Sequence, residues 1–126
     1  MSPTPEPTSP TPRPPARCSE LAGELSVAEQ VGQLLMVGVN SAGISADDAD
    51  ILAKTRAGSV ILLGNSTAGA VAVKRVVGHV RDATRRPHGV KTMLAADQEG
   101  GLVQRPKGRG FVTIPAAADQ REQSDR

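Results

Sequence analysis

The chain has 126 residues, a formal net charge of +2 at pH 7 and a single aromatic residue, Phe111. This length suits one domain at most, and its core must be built from aliphatic side chains. The net charge is small, and the sequence has neither a lysine run nor basic residues interleaved with aromatic ones, which disfavours a nucleic-acid partner. Cys18 is the only cysteine, which excludes an intrachain disulfide and a cysteine-based zinc cluster.

Residues 1–18 are predicted to be a disordered, proline-rich tether. Seven of the first 17 residues are proline, and proline fixes φ and removes the amide donor, which favours an extended and solvated chain. Cys18 follows no apolar run, so we expect neither a signal peptide nor a membrane span in this chain.

The first predicted elements are two capped helices around a strand. Ser26 can cap the first helix while Glu29 reaches back to close a capping box. The apolar run 35–39 (LMVGV) predicts a buried strand. Ser45 is predicted to cap the second helix, and Gly58 to end it in a left-handed conformation.

Strand and helix then alternate once more. Residues 59–63 (SVILL) form an apolar run that includes the β-branched Val60 and Ile61, as in a strand covered on both faces. Apolar residues at helical spacing predict a helix over 70–86, and 92–97 (TMLAAD) predicts a third strand. The intervals between strands are close to the unit of a parallel βα array. We therefore predict an α/β fold, either an open doubly wound sheet or a closed eight-stranded barrel.

The stretch LAADQEGGLVQRPKGRGFVTIP, residues 94–115, carries the candidate site. Ligands bind at the carboxyl ends of parallel strands, which places Asp97 on the ligand side. A carboxylate there can accept hydrogen bonds from two neighbouring hydroxyls, Gly100 and Gly101 allow a sharp turn, and Arg105 adds rigid donors. The combination predicts a sugar or polyol site, and the alternative is that Asp97 only caps the following turn.

Other polar residues nearby are predicted to be structural. Glu99 lies two residues from Asp97, but a carboxylate in a glycine turn more often caps amides or pairs with arginine than acts in an acid–base pair. His79 falls inside a helix, and His88 precedes the third strand on the face opposite the ligand side, so neither is expected to donate a proton. The run 107–110 (KGRG) is typical of a solvated loop.

The block DQEGGLVQR at 97–105, followed by GFVTIP at 110–115, resembles the signature of glycoside hydrolase family 3, in the branch of the bacterial β-N-acetylhexosaminidases. The run LSVAEQVGQLLMVGV at 25–39 is similar to the start of that family. The resemblance implies a (β/α)8 TIM barrel, with about its first three βα units at 19–118. It also implies hydrolysis of terminal β-linked N-acetylglucosamine from a glycan with retention, without a metal or organic cofactor.

The resemblance assigns two substrate-binding residues. Asp97 matches the aspartate that holds hydroxyls of the terminal sugar, and Arg105 matches the arginine of the same subsite. Leu102 departs from the arginine common at its position and Pro106 replaces a bulky apolar residue, so the outer loop is expected to differ in shape. The family's nucleophilic aspartate and its proton-donating histidine match no residue here, so no catalytic residue is assigned and the chain alone is expected to be inactive.

The last residues, 119–126, are polar where the next barrel helix should show an apolar stripe, and they are predicted to be a tail. We therefore expect this chain to be the N-terminal piece of a longer glycosidase. The alternatives are a noncatalytic remnant with weak sugar binding, a β-glucosidase of the same family and a proline-tethered interaction module. A cell-envelope location is suggested only by analogy with exported relatives.

Overall fold

The fold is built on three parallel strands. The computed structural model describes residues 16–85 and 87–121. Within this part, β1 (Met36–Asn40), β2 (Ser59–Leu63) and β3 (Met93–Ala96) form one sheet in the order β1-β2-β3. Both pairings are parallel. The predicted α/β class is therefore confirmed, and β2 has the predicted bounds.

Two helices connect these strands and cover one face of the sheet. α3 (Ala46–Thr55) joins β1 to β2, and α4 (Gly69–Ala83) joins β2 to β3. Aliphatic side chains of the sheet and of both helices pack together between these layers, which buries the apolar surface that drives folding. The buried core consists of Val39, Leu52, Val60, Leu62, Val76 and Val80.

The other face of the sheet is largely open in the described part. Side chains alternate along a strand, so the residues beside the core positions point away from the helices. Met36, Leu63 and Met93 on that face are 48%, 47% and 55% exposed. This is the face that would line the interior of a closed barrel.

Two helices precede β1, α1 (Ala16–Glu24) and α2 (Val27–Gln33). The predicted capping box of α2 is present, because the Glu29 amide donates to Ser26 Oγ at 3.4 Å and the Ser26 amide donates to Glu29 Oε2 at 2.9 Å. The Ser26 hydroxyl also donates to Glu29 Oε2 at 2.7 Å, and this bond, followed by the one from the Ser26 amide, lowers the pKa of Glu29. The helix α1 begins within the predicted tether, whose residues 1–15 lie outside the described part of the chain.

The end of α3 differs from the sequence prediction. Its start is a capping box between Ser45 and Asp48, as the spacing favours. The left-handed residue that ends it is Arg56, with φ 53°, and not Gly58. A Cβ at Gly58 would lie 2.7 Å from the Cα of Gln33, so this glycine serves close packing against the end of α2.

The helix α4 ends three residues before the predicted boundary at 86, since Thr84 has extended backbone, with ψ 138°. Beyond β3, the sequence prediction lacks three short elements. The strands β4 (Gln98–Gly100) and β5 (Val103–Gln104) form an antiparallel pair, and α5 (Ala117–Gln120) extends into the predicted polar tail. Such short elements carry too few residues to show a periodicity.

Candidate functional site

Polar side chains follow the carboxyl ends of the three parallel strands. Asn40 ends β1, Asn65 lies two residues after β2, and Asp97 comes directly after β3. The Asn40 side chain accepts a hydrogen bond from the Ala42 amide at 2.8 Å and so shapes the turn after β1. The other two side chains lie at the edge of the sheet where ligands of parallel βα folds bind.

Asp97 and Arg105, the two predicted site residues, lie side by side at this edge. Arg105 Nε is 3.9 Å from Asp97 Oδ2. The Asp97 side chain is 45% exposed and the Arg105 side chain is 37% exposed. This distance exceeds the roughly 2.7–2.9 Å of a charge-assisted hydrogen bond. The two groups therefore attract each other without closing into a bonded pair, and both can be reached by a ligand.

Asn65 is a third member of this cluster, and sequence reasoning missed it. Arg105 Nη1 donates to Asn65 Oδ1 at 3.3 Å. Asn65 is 40 residues away in the chain and belongs to no motif, so only its position after a strand could have singled it out. The described contacts thus arrange Asp97, Arg105 and Asn65 in a row, with the guanidinium between two acceptors.

Backbone hydrogen bonds fix Arg105 in place. Its amide donates to the carbonyl of Asp97 at 3.1 Å, and its own carbonyl accepts from the Ser66 amide at 3.1 Å. The Gln98 side chain adds a bond to the Pro106 carbonyl at 2.9 Å. The segment that carries Arg105 is therefore tied to the tips of both β2 and β3.

The glycine pair after Glu99 makes the turn between β4 and β5. Gly100 and Gly101 have φ of 89° and 56°, a region that residues with a Cβ seldom adopt. A methyl group at Gly100 would also overlap the carbonyl oxygen of Pro115. The predicted sharp turn is confirmed, and the close approach of the segment around Pro115 is an additional reason for glycine.

Gln104 holds the returning segment with its side chain. It is 6% exposed, donates to the Val112 carbonyl at 2.7 Å and accepts from the Ile114 amide at 3.0 Å. Since its amide oxygen and nitrogen each have a partner, burial of this polar group costs little. Gln104 is thus a structural support of the loop and not a ligand contact.

The run 107–110 has exposed side chains, as predicted, but its backbone is anchored. The Lys107 carbonyl accepts from the Gly69 amide at 3.1 Å, and the Arg109 carbonyl accepts from the Ala70 amide at 2.8 Å. The first residues of a helix have amides without helical partners, and α4 lacks a side-chain cap at Ala68. The loop supplies the missing acceptors, which the sequence pattern could not reveal.

The histidines and Glu99 take no part in the cluster. His79 is exposed on α4. His88 Nδ1 lies 3.4 Å from Glu24 Oε2, beside a polar cavity between α1 and the turn Pro87–Gly89 that precedes β3. Glu99 is exposed, and Asp97 lies beside Arg105. Within residues 16–85 and 87–121, there is no group of three or more His, Cys, Asp or Glu side chains that could hold a metal ion.

The described helices are all too short or too polar to cross a membrane.

Comparison with known proteins identifies the family. Residues 26–125 match the Glycosyl hydrolase family 3 N terminal domain. A beta-hexosaminidase of Xylella fastidiosa (strain 9a5c) is 35% identical over 82 residues, which cover 65% of this chain and 23% of that protein. The match with the family domain extends over most of the folded part.

Two solved structures have a similar arrangement. The crystal structure of a β-N-acetylhexosaminidase from Beutenbergia cavernae DSM 12333 superposes with a TM-score of 0.71 at 41% identity, over 76% of this chain and 29% of that one. A glycoside hydrolase family 3 β-N-acetylglucosaminidase from Paenibacillus sp. str. FPU-7 superposes with a TM-score of 0.62 at 26% identity, over 73% of this chain and 17% of that one.

The chain therefore spans less than a third of the length of each of these three relatives. Its parallel βα units correspond to part of the TIM-barrel domain with which the family begins. From the matched domain and the two superposed structures, the chain belongs to glycosyl hydrolase family 3.

Proposed function

We propose that the protein contributes to a β-N-acetylhexosaminidase that hydrolyses terminal β-linked N-acetylglucosamine from glycans with retention. Membership of family 3 makes it part of a group of O-glycosyl hydrolases with carbohydrate substrates. The names of three relatives, a beta-hexosaminidase, a β-N-acetylhexosaminidase and a β-N-acetylglucosaminidase, support the amino-sugar branch. Since the chain covers a minor part of each relative, the substrate is an inference from these relatives.

The observation that carries the proposal is the open pair of Asp97 and Arg105 at the tip of β3. The carboxylate can accept hydrogen bonds from two adjacent sugar hydroxyls, while the guanidinium donates to a hydroxyl or carbonyl oxygen. Their separation of 3.9 Å leaves both groups able to reach a ligand. A sugar bound here would exchange its water hydrogen bonds for charge-assisted ones.

These two residues bind and orient the sugar but do not perform the hydrolysis. A retaining glycosidase with two carboxyl groups holds them about 5 Å apart, one as nucleophile and the other as acid. Asp97 faces an arginine, and Glu99 is exposed beyond it in the glycine turn. We propose that the nucleophile and the proton donor are supplied by residues that are not among these 126, so the isolated chain is expected to release no sugar.

The proposal can be tested in a chimeric enzyme. Residues 26–121 replace the matching part of the Beutenbergia cavernae enzyme, and hydrolysis of a chromogenic N-acetyl-β-glucosaminide is measured alongside that of the glucoside. Asp97→Ala should lower kcat/KM about 100-fold or more, because each hydrogen bond to a charged group contributes about 1.5–3 kcal/mol. Arg109→Ala, an exposed change outside the cluster, is the matched control and should leave kcat/KM within about twofold.

Two outcomes would contradict the proposal. One is an active chimera in which Asp97→Ala has no more effect than Arg109→Ala. The other is a chimera that prefers the glucoside, which would place the protein in a different branch of the family. Hydrolysis by the isolated 126-residue chain would refute the assignment of the catalytic groups to residues outside it.

A further inference from the structure

Asn65 accepts the hydrogen bond that decides where the Arg105 guanidinium lies. Arg105 Nη1 donates to Asn65 Oδ1 at 3.3 Å, whereas Arg105 Nε lies 3.9 Å from Asp97 Oδ2, beyond hydrogen-bonding distance. A carboxylate is the stronger partner for a guanidinium, and an unrestrained pair closes to about 2.7–2.9 Å, often with two parallel bonds. The longer separation from the better acceptor needs a cause.

Backbone contacts limit how far the arginine can move but do not set the direction of its head group. The amide and carbonyl of Arg105 are bonded to Asp97 and Ser66, which places its Cα between the tips of β2 and β3. Beyond that point the side chain has several rotatable bonds, and Arg105 is 37% exposed. The acceptor on Asn65 is the described contact that draws the guanidinium away from the carboxylate.

We propose that Asn65 is a positioning residue that holds Arg105 off Asp97 and so keeps the carboxylate open for sugar hydroxyls. This inference rests on the proposed sugar site and adds a residue to it. If Arg105 closed on Asp97, the carboxylate oxygens would be taken by the guanidinium, and a sugar would have to displace that bond. Asn65 is exposed, so a substitution there should not affect the core.

The test compares two variants of similar size in the 126-residue chain. Asn65→Leu removes the acceptor, and Asn65→Asp keeps an oxygen in the same place. The Nε–H resonance of Arg105, identified by its loss in Arg105→Lys, reports on the guanidinium by 15N NMR. Affinity for free N-acetylglucosamine is measured on the same samples by titration, and Thr67→Val, another exposed change in the same loop, is the control.

We expect Asn65→Leu to shift the Arg105 Nε–H resonance and to slow its hydrogen exchange. Sugar binding should weaken about threefold to tenfold, as for the loss of one ordinary hydrogen bond, because the sugar must then displace the arginine from the carboxylate. Asn65→Asp gives the guanidinium a charged acceptor at the same position, so hydrogen exchange at Nε–H should stay as fast as in the wild type. Thr67→Val should change neither measurement.

The proposal is overturned if Asn65→Leu leaves the Nε–H resonance unchanged, or if both Asn65 variants slow its hydrogen exchange equally, because a loop with only a structural role would not distinguish the two. If Asn65→Leu shows the predicted Nε–H changes but the wild-type chain binds no N-acetylglucosamine, the result supports the positioning of Arg105 and counts against the proposed sugar site. The two hypotheses can thus fail separately.

Discussion

Replacement of Gly100 by alanine should disrupt the loop that carries the candidate site. Gly100 has φ 89°, and an added Cβ would overlap the carbonyl oxygen of Pro115 and lie 2.9 Å from the carbonyl oxygen of Ile114. Left-handed backbone costs an alanine about 1–2 kcal/mol. The overlap must also be relieved, which endangers the bond from the Gly101 amide to Ile114, and a lost hydrogen bond costs about 1 kcal/mol.

We therefore expect Gly100→Ala to lower the free energy of unfolding by about 2–4 kcal/mol. Two other glycines separate the causes. Gly89 has φ 77°, and a Cβ added there would meet nothing within 4 Å, so Gly89→Ala should show the backbone cost alone, while Gly78 in α4 has open space without a positive φ. Gly78→Ala should stabilise the chain by about 0.5–1 kcal/mol.

Urea unfolding followed by circular dichroism measures all three variants. The order of stability should be Gly78→Ala, wild type, Gly89→Ala and Gly100→Ala. If Gly100→Ala is no less stable than Gly89→Ala, the close approach of the Pro115 segment does not matter for stability, and the reasoning is refuted. Gly100→Ala should also weaken N-acetylglucosamine binding, because Asp97 and Arg105 lie on either side of this turn.

Two further predictions concern the frame of the site. Hydrogen bonds from the Ser45 amide and, to a smaller extent, from its hydroxyl lower the pKa of Asp48. Their stabilising effect is therefore present above the ordinary pKa of about 4 and is lost as the pH falls through the lowered pKa of the folded state. In urea unfolding, Ser45→Ala should be less stable than wild type at pH 7, and the difference should shrink towards pH 2. Leu52 is 0% exposed, so Leu52→Ala should lower the free energy of unfolding by about 2–5 kcal/mol. Val71 is 75% exposed, and Val71→Ala should lower it by less than about 0.5 kcal/mol. Equal losses would contradict the assigned core.

Local patterns in the sequence predicted the parts of the fold that depend on local interactions. SVILL at 59–63 is a strand with the predicted bounds, since its apolar residues suit a parallel sheet. The described residues cover only one of its two faces, because Leu63 is 47% exposed. Ser26 and Ser45 form the capping boxes that their spacing favours. The position of Asp97 at the end of β3 followed from strand polarity alone.

Features that depend on distant parts of the chain could not be predicted. Gly58 led to the wrong end for α3, because its function is contact with Gln33 and not a left-handed turn. Asn65 reaches Arg105 only after β2 and β3 are paired. The anchoring of the run 107–110 on α4 uses main-chain carbonyls, which every sequence has.

The open face of the sheet also bears on function. Met36, Leu63 and Met93 are about half exposed on the side that would line a barrel, and the relatives are more than three times as long as the matched part. Further βα units that closed the sheet into a barrel would bury these side chains and enclose Asp97 on more sides. A sugar bound by the described residues alone is therefore expected to be held weakly.

The central claim is that Asp97 and Arg105 form a sugar site at the tip of β3, and backbone amide NMR with N-acetylglucosamine tests it most directly. We predict shifts that cluster around Asn65, Asp97 and Arg105 and that disappear in a folded Asp97→Ala variant. Shifts centred on the polar cavity beside His88, or shifts that persist unchanged in Asp97→Ala, would contradict the claim.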